Sequence, residues 1–158
     1  EEICRKLPKT DLHMHLDGSV RIETIHDLAV QKEPEKGWGL AQVENAIRIS
    51  SDCKNLADYL DRFFFINRYL QGAQALGRVA FELCEDLAAE NVRYFETRFC
   101  PSLHTAQGDS AETIVKSVLA GLKEGEKQTG IRTGLIICIV RDTPQSDTER
   151  SCTSPPIQ

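Results

Sequence analysis

Leu135-Ile136-Ile137-Cys138-Ile139-Val140 is an unbroken apolar run, and four of its six residues are β-branched. A strand that shows one face to water alternates apolar with polar residues. A strand written this way is covered on both faces, as strands are in parallel sheets whose crossovers lay helices over them. The run therefore limits the chain to α/β architectures and asks for helical segments around it.

Those segments are present. Residues 8–16 read as a first strand, with Leu12, Met14 and Leu16 on one face and Asp11, His13, His15 and Asp17 on the other. Gly18 ends it, and Ser19 can cap the next helix. Residues 21–32 carry Ile22, Ile25, Leu28 and Ala29 at helical spacing. Pro34, Gly37 and Gly39 mark residues 33–52 as loop, with weak structure around Val43, Ile47 and Ile49. Leu56, Tyr59, Leu60, Phe63 and Phe64 form an aromatic-rich helical stripe. After Gly72, the spacing of Ala73, Leu76, Val79, Ala80, Leu83 and Leu87 predicts an amphipathic helix running to Glu90. Asn91 stops it, residues 92–99 read as a second strand, and Pro101 ends that strand. Asp109 and Glu112 have capping-box spacing before a helix over 113–128, and Gly130 stands where a C-terminal cap belongs. The run at 135–140 is the third strand. Strands alternating with helices predict a parallel sheet with right-handed crossovers. Residues 142–158 are rich in Ser, Thr and Pro, with Ile157 the one aliphatic residue, and are expected to be disordered.

Composition excludes some functions. The net charge is −5 and the Lys and Arg residues are scattered, so no nucleic-acid partner is expected. No apolar stretch approaches the ~18 residues of a membrane span, and no signal peptide is visible, so no membrane partner is expected. Cys4, Cys53, Cys84, Cys100, Cys138 and Cys152 form no C-x-x-C pair. They are expected to be free thiols, several of them buried, in a reducing cytoplasm. Nothing in the sequence sets an oligomeric state.

The chemistry is concentrated in Leu12-His13-Met14-His15-Leu16-Asp17-Gly18-Ser19. Residues i and i+2 of a strand share a face about 6.6 Å apart, so two imidazoles can converge on one ion. Neutral imidazole is a good zinc ligand, but a catalytic zinc needs at least three protein ligands and an open position. His13 and His15 are therefore part of a site. Most His-x-His pairs bind no metal; here the pair is followed at once by Asp-Gly at the C-terminal end of a strand, where α/β folds place active sites.

The stretch from Pro8 to Ser19 resembles the opening strand of adenosine deaminases, within the amidohydrolase superfamily. Val92-Arg93-Tyr94-Phe95-Glu96-Thr97-Arg98-Phe99-Cys100-Pro101 is similar to the family's second strand, and residues 134–141 to its third. The resemblance covers roughly residues 7–141. It implies a partial TIM (β/α)8 barrel, about the first three β/α units, as one domain over 1–141, with 142–158 outside the family pattern. It implies His13 and His15 as two ligands of one Zn2+, Asp17 as hydrogen-bonding the substrate's ribose, and Gly18 as letting the chain turn close to it. It also makes Leu56, Tyr59, Leu60 and Phe63 an apolar gate over the purine; an ordinary helix core face is the other reading. Glu96 and Arg98 share a strand face, where they can pair and are read as structural. His26 and His104 are not expected to be ligands, although His104 follows the second strand and can lie near the site.

The activity implied is zinc-dependent hydrolytic deamination of adenosine to inosine and ammonia, with a purine nucleoside as substrate. A closed barrel of this kind takes about 250 residues, and the family's proton-donating Glu and remaining metal ligands have no counterpart among these 158 residues. The expectation is a fragment, itself inactive, of a longer enzyme. Two alternatives stay open: a deaminase of adenine or a modified adenosine monophosphate, and a non-catalytic binding module. Cytidine-type deaminases and zincin proteases are excluded, since neither Pro-Cys-x-x-Cys nor His-Glu-x-x-His occurs.

Overall fold

A computed structural model describes residues 2–49 and 53–140. The expected disordered tail at 142–158 lies outside the described residues. A short helix α1 (Glu2–Lys6) precedes strand β1 (Lys9–His15), which ends in a 3-10 turn, Leu16–Gly18. Helix α2 (Ile22–Lys32), a 3-10 turn (Pro34–Lys36), α3 (Leu40–Ile47), α4 (Leu56–Tyr69) and α5 (Ala73–Ala89) come next. Strand β2 (Val92–Phe99), a 3-10 turn (Pro101–His104), α6 (Ala111–Thr129) and β3 (Arg132–Ile137) complete the described chain. The sheet is parallel throughout, in the order β1-β2-β3. This is the α/β pattern that the alternating elements predict, although the apolar run at 135–140 is not covered on both faces as expected: none of its residues is buried.

The core lies between the sheet and the helices. Phe95 and Phe99 of β2 are buried with Leu76, Val79 and Leu83 of α5 and Ile114, Val118 and Leu122 of α6. Helices α5 and α6 approach through small residues. A Cβ added at Gly121 would lie 2.2 Å from the Gly77 carbonyl oxygen, and one at Gly125 would lie 2.4 Å from the Cys84 Cβ. Both distances are far inside van der Waals contact, so glycine is what allows the two backbones to meet there. Asn91 (φ 63°) turns the chain from α5 into β2, and its side-chain amide donates to the Lys6 carbonyl at 2.6 Å.

Four local expectations are corrected. Residues 40–47 form a helix, because Val43 and Ile47 pack against the core beside α2 and α4. The third strand begins three residues earlier than the apolar run and ends at Ile137; Ile139 and Val140 are exposed. What positions β3 is pairing with β2 from Tyr94–Arg132 to Phe99–Ile137, not apolar content. The cap of α6 is Ser110, whose Oγ accepts from the Thr113 amide at 3.1 Å, while Asp109 accepts instead from Ala73 N, the first residue of α5, at 2.8 Å.

The fourth correction concerns β1. Three steps along it, Asp11 to Met14, match two along β2, Phe95 to Thr97, so Leu12 and His13 together stand opposite Glu96. This bulge breaks the alternation. Met14 packs against the core and Leu16 is fully buried, as expected, but Leu12 is 56% exposed. Asp11 falls in register with Phe95 whereas His15 falls in register with Arg98, so Asp11 does not share the face of His15. The bulge is braced by the Asp11 carboxylate, which accepts from His13 N at 3.0 Å, and by Arg98, whose Nη2 donates to the Leu12 carbonyl at 3.1 Å.

Candidate active site

His13 and His15 stand at the C-terminal end of β1 with ring centroids 5.4 Å apart, tilted by 45°. Both residues are exposed, and neither ring hydrogen-bonds to another described residue. They make a two-nitrogen donor set on one side of the sheet, chemically suited to zinc. Among the described residues no group of three or more His, Cys, Asp or Glu side chains converges in a metal-binding arrangement.

The chain turns immediately after His15. Ser19 Oγ donates to the His15 carbonyl at 2.7 Å, and Leu16 anchors the turn in the core. Asp17 is 7% exposed, and its Oδ1 is buried without a hydrogen-bond partner. A Cβ at Gly18 would meet Phe63 Cζ at 3.3 Å and His15 Cβ at 3.5 Å, so the turn lies directly against α4. Arg21, just beyond, ties the turn to α5 through a two-pronged contact to Asp86 and a 3.0 Å bond to Glu85.

Helix α4 is capped by Asn55, whose side chain accepts from Asp58 N. Phe63 reaches the Gly18 turn, and Tyr59 packs on Phe63 with centroids 5.4 Å apart. Leu56 is 71% exposed and Leu60 is 40% exposed, and the buried residues of the helix, Ile66 and Tyr69, come only near its C-terminus. The N-terminal half of α4 thus leaves Leu56, Leu60 and Phe64 exposed beside the turn.

His104 follows β2 and is fully buried. Its Nδ1 lies 2.7 Å from the Leu70 carbonyl, its ring packs against Phe99, and its Nε2 has no partner. Burial holds its pKa below the ordinary value, while the Leu70 carbonyl and the charge of Asp17 act in the opposite sense. The sequence places His104 near the site, but nothing in its spacing signals these contacts. Glu96 and Arg98 do not pair: Glu96 accepts from the Tyr94 hydroxyl at 2.8 Å and Arg98 reaches Leu12. His26 is occupied structurally, its Nε2 lying 3.0 Å from the Trp38 carbonyl.

The adenosine deaminase family model matches residues 8–154. The chain belongs to the adenosine deaminase family. An adenosine deaminase of Clostridium botulinum is 46% identical over 139 residues, 87% of this chain and 42% of the relative. The chain therefore spans less than half the length of that enzyme. A zinc-bound amidohydrolase of Burkholderia ambifaria superposes with a TM-score of 0.78 at 27% identity, covering 92% of this chain and 39% of the other. An Arabidopsis N6-methyl-AMP deaminase gives 0.79 at 27% identity, covering 96% and 46%. The three-stranded sheet is accordingly an arc of the family's (β/α)8 barrel. Among the described residues no helix is long and apolar enough to cross a membrane.

Proposed function

We propose that this chain is the segment of a zinc-dependent adenosine deaminase that supplies two metal ligands and the sugar-facing wall of the substrate site. The observation that carries this reading is the His13–His15 pair set directly above the Asp17–Gly18 turn at the end of β1. His13 and His15 would hold zinc through ring nitrogens, and zinc held there would supply water acidified to near-neutral pKa for hydrolysis. Asp17 accepts from a ribose hydroxyl of the purine nucleoside, and Gly18 keeps the turn low enough for the sugar to approach. Leu56, Tyr59, Leu60 and Phe63 cover the base and exclude water. Adenosine is favoured by the 46% identity to an adenosine deaminase. A second reading, a modified adenosine monophosphate, is favoured by the likeness to the N6-methyl-AMP deaminase. The five described cysteines are free, which supports a reducing compartment, the cytoplasm. Residues 1–141 are assigned to the barrel segment, and the family model's match runs on to residue 154.

Calorimetric titration with Zn2+ tests the ligand assignment. The chain should bind one ion, and the His13→Ala/His15→Ala double variant should bind at least tenfold more weakly. Equal affinity in the two proteins would defeat the assignment.

A further inference from the structure

Two cysteines meet at the carboxyl ends of β2 and β3. The ladder between those strands keeps register as far as Phe99 and Ile137, and Cys138 N donates to the Phe99 carbonyl at 2.9 Å. One step further along both strands, Cys100 stands beside Cys138. Neighbouring strands lie about 4.7–4.9 Å apart in the hydrogen-bonding direction, and a disulfide bridges Cα atoms about 4.4–6.8 Å apart. Cys100 keeps the extended backbone of β2 (φ −105°, ψ 105°). It follows Arg98 by two residues, as Cys138 follows Ile136, and Arg98 and Ile136 are themselves register partners. Residues two apart on a strand share a face, so both thiols leave the sheet on one side.

Both thiols are free, and their surroundings differ. Cys100 is 5% exposed, and its Sγ lies 3.2 Å from Ser102 Oγ. Cys138 is partly exposed, on the strand that forms the edge of the sheet among the described residues. The other described cysteines have no such neighbour: Cys4 is on α1, Cys53 precedes α4 and Cys84 is on α5.

We propose that Cys100 and Cys138 are a redox-modification site, in which exchange with a low-molecular-weight disulfide forms a reversible link between the ends of β2 and β3. Solvent reaches Cys138, so its thiolate attacks first, forming a mixed disulfide and releasing one small thiolate. The thiolate of Cys100 then attacks the Cys138 sulfur, and the second small thiolate leaves. The two cysteines together lose two protons and two electrons, and the small disulfide is reduced to two thiols. The Ser102 hydroxyl is placed to donate to the Cys100 sulfur as it takes on charge. In a reducing compartment such links are transient and redox-sensing, in keeping with the free thiols of this structure. The link closes a loop that holds all of α6, and it lies on the rim that carries His15, the register partner of Arg98.

The test uses the unmutated 158-residue chain, treated at neutral pH with oxidised glutathione, quenched in acid, blocked with N-ethylmaleimide and digested with trypsin. Mass spectrometry should recover peptide 99–116 joined to peptide 133–141 with the loss of two hydrogens, and dithiothreitol should release them. The link should form roughly tenfold or more faster than in the urea-unfolded chain, because the fold holds the thiols together. Glutathione that stays on Cys138 while Cys100 remains free, Cys138 joined to a different cysteine, an unreactive Cys138, or a link that forms no faster in the native chain would each overturn the proposal. Two variants check the order of attack. Cys100→Ser should stop at the mixed disulfide on Cys138, and Cys138→Ser should leave the native Cys100 thiol unmodified. Glutathione added to Cys100 in Cys138→Ser as fast as to Cys138 in the parent would refute the resolving role of Cys100.

Discussion

Replacing Gly121 by alanine sets two effects against each other. Alanine is the better helix former by about 1 kcal/mol in a helix interior, so if α6 were free the substitution would stabilise it. Gly121 instead faces α5, and its new methyl would sit 2.2 Å from the Gly77 carbonyl oxygen and 3.1 Å from the Ala80 Cβ. Relieving that contact requires the helices to move apart by about 1 Å, and a gap of that size forfeits a quarter to a half of the dispersion between facing atoms. Overpacking typically costs ~1–3 kcal/mol, and a clash with backbone belongs at the upper end of that range. Subtracting the propensity gain leaves a net destabilisation of about 2 kcal/mol. For a chain of this size that is a fall in Tm of roughly 4–8 °C. Urea and thermal unfolding followed by circular dichroism would measure it. Ala120→Gly, on the exposed side of the same helix, provides the propensity term alone. A Gly121→Ala protein as stable as the parent, or more stable, would refute the argument that contact between the two backbones governs this interface.

Three further outcomes are expected. Glu33, which accepts from the Tyr69 hydroxyl and pairs with Lys36 and Arg68, has its carboxyl lowered from 4.5 to about 2. Its contribution is complete above pH 4.5 and disappears as pH falls through about 2, so Glu33→Gln should flatten the acid dependence of stability across that window, and unchanged slopes would count against it. Burial pushes the Cys84 thiol up to about 12, so iodoacetamide at pH 8 should label exposed Cys4 and spare Cys84 in the native protein; rapid labelling of Cys84, read by mass spectrometry, would contradict its placement. The isolated chain should not convert adenosine to inosine, since positioned acid–base groups are worth ~10²–10⁴ in rate and no third metal-binding partner joins His13 and His15 among the described residues; turnover abolished by a chelator would reverse this.

The elements whose limits are set locally were legible in the sequence. Strand β2 runs over the residues that its pattern and Pro101 mark out, and α5 over the span of its apolar repeat. The elements whose limits depend on partners were not. Strand β3 is shifted toward the N-terminus because β2 supplies its ladder, and Asp109 spends its carboxylate on the start of a helix 36 residues earlier in the chain. The Gly77–Gly121 contact looks in sequence like two unfavourable helix positions. In the candidate site, the pairing of His13 with His15 follows from a spacing of two. The environment of His104 does not, because it is defined by a carbonyl 34 residues away and by the burial of Asp17.

The bulge at Leu12 and His13 splits β1 into two lengths with independent phase. Below it, Thr10 and Asp11 keep step with Tyr94 and Phe95, the register having already shifted once between Lys9 and Thr10; beyond it, Met14 and Leu16 lock into the core and hold His15 and Asp17 in place whatever happens upstream. A residue gained or lost before Asp11 can be absorbed at the bulge, at the expense of the strand's footing, without rotating the histidine rim. One gained or lost after Met14 would have no such slack and would turn the rim out of line. The strand therefore tolerates length changes at one end and forbids them at the other.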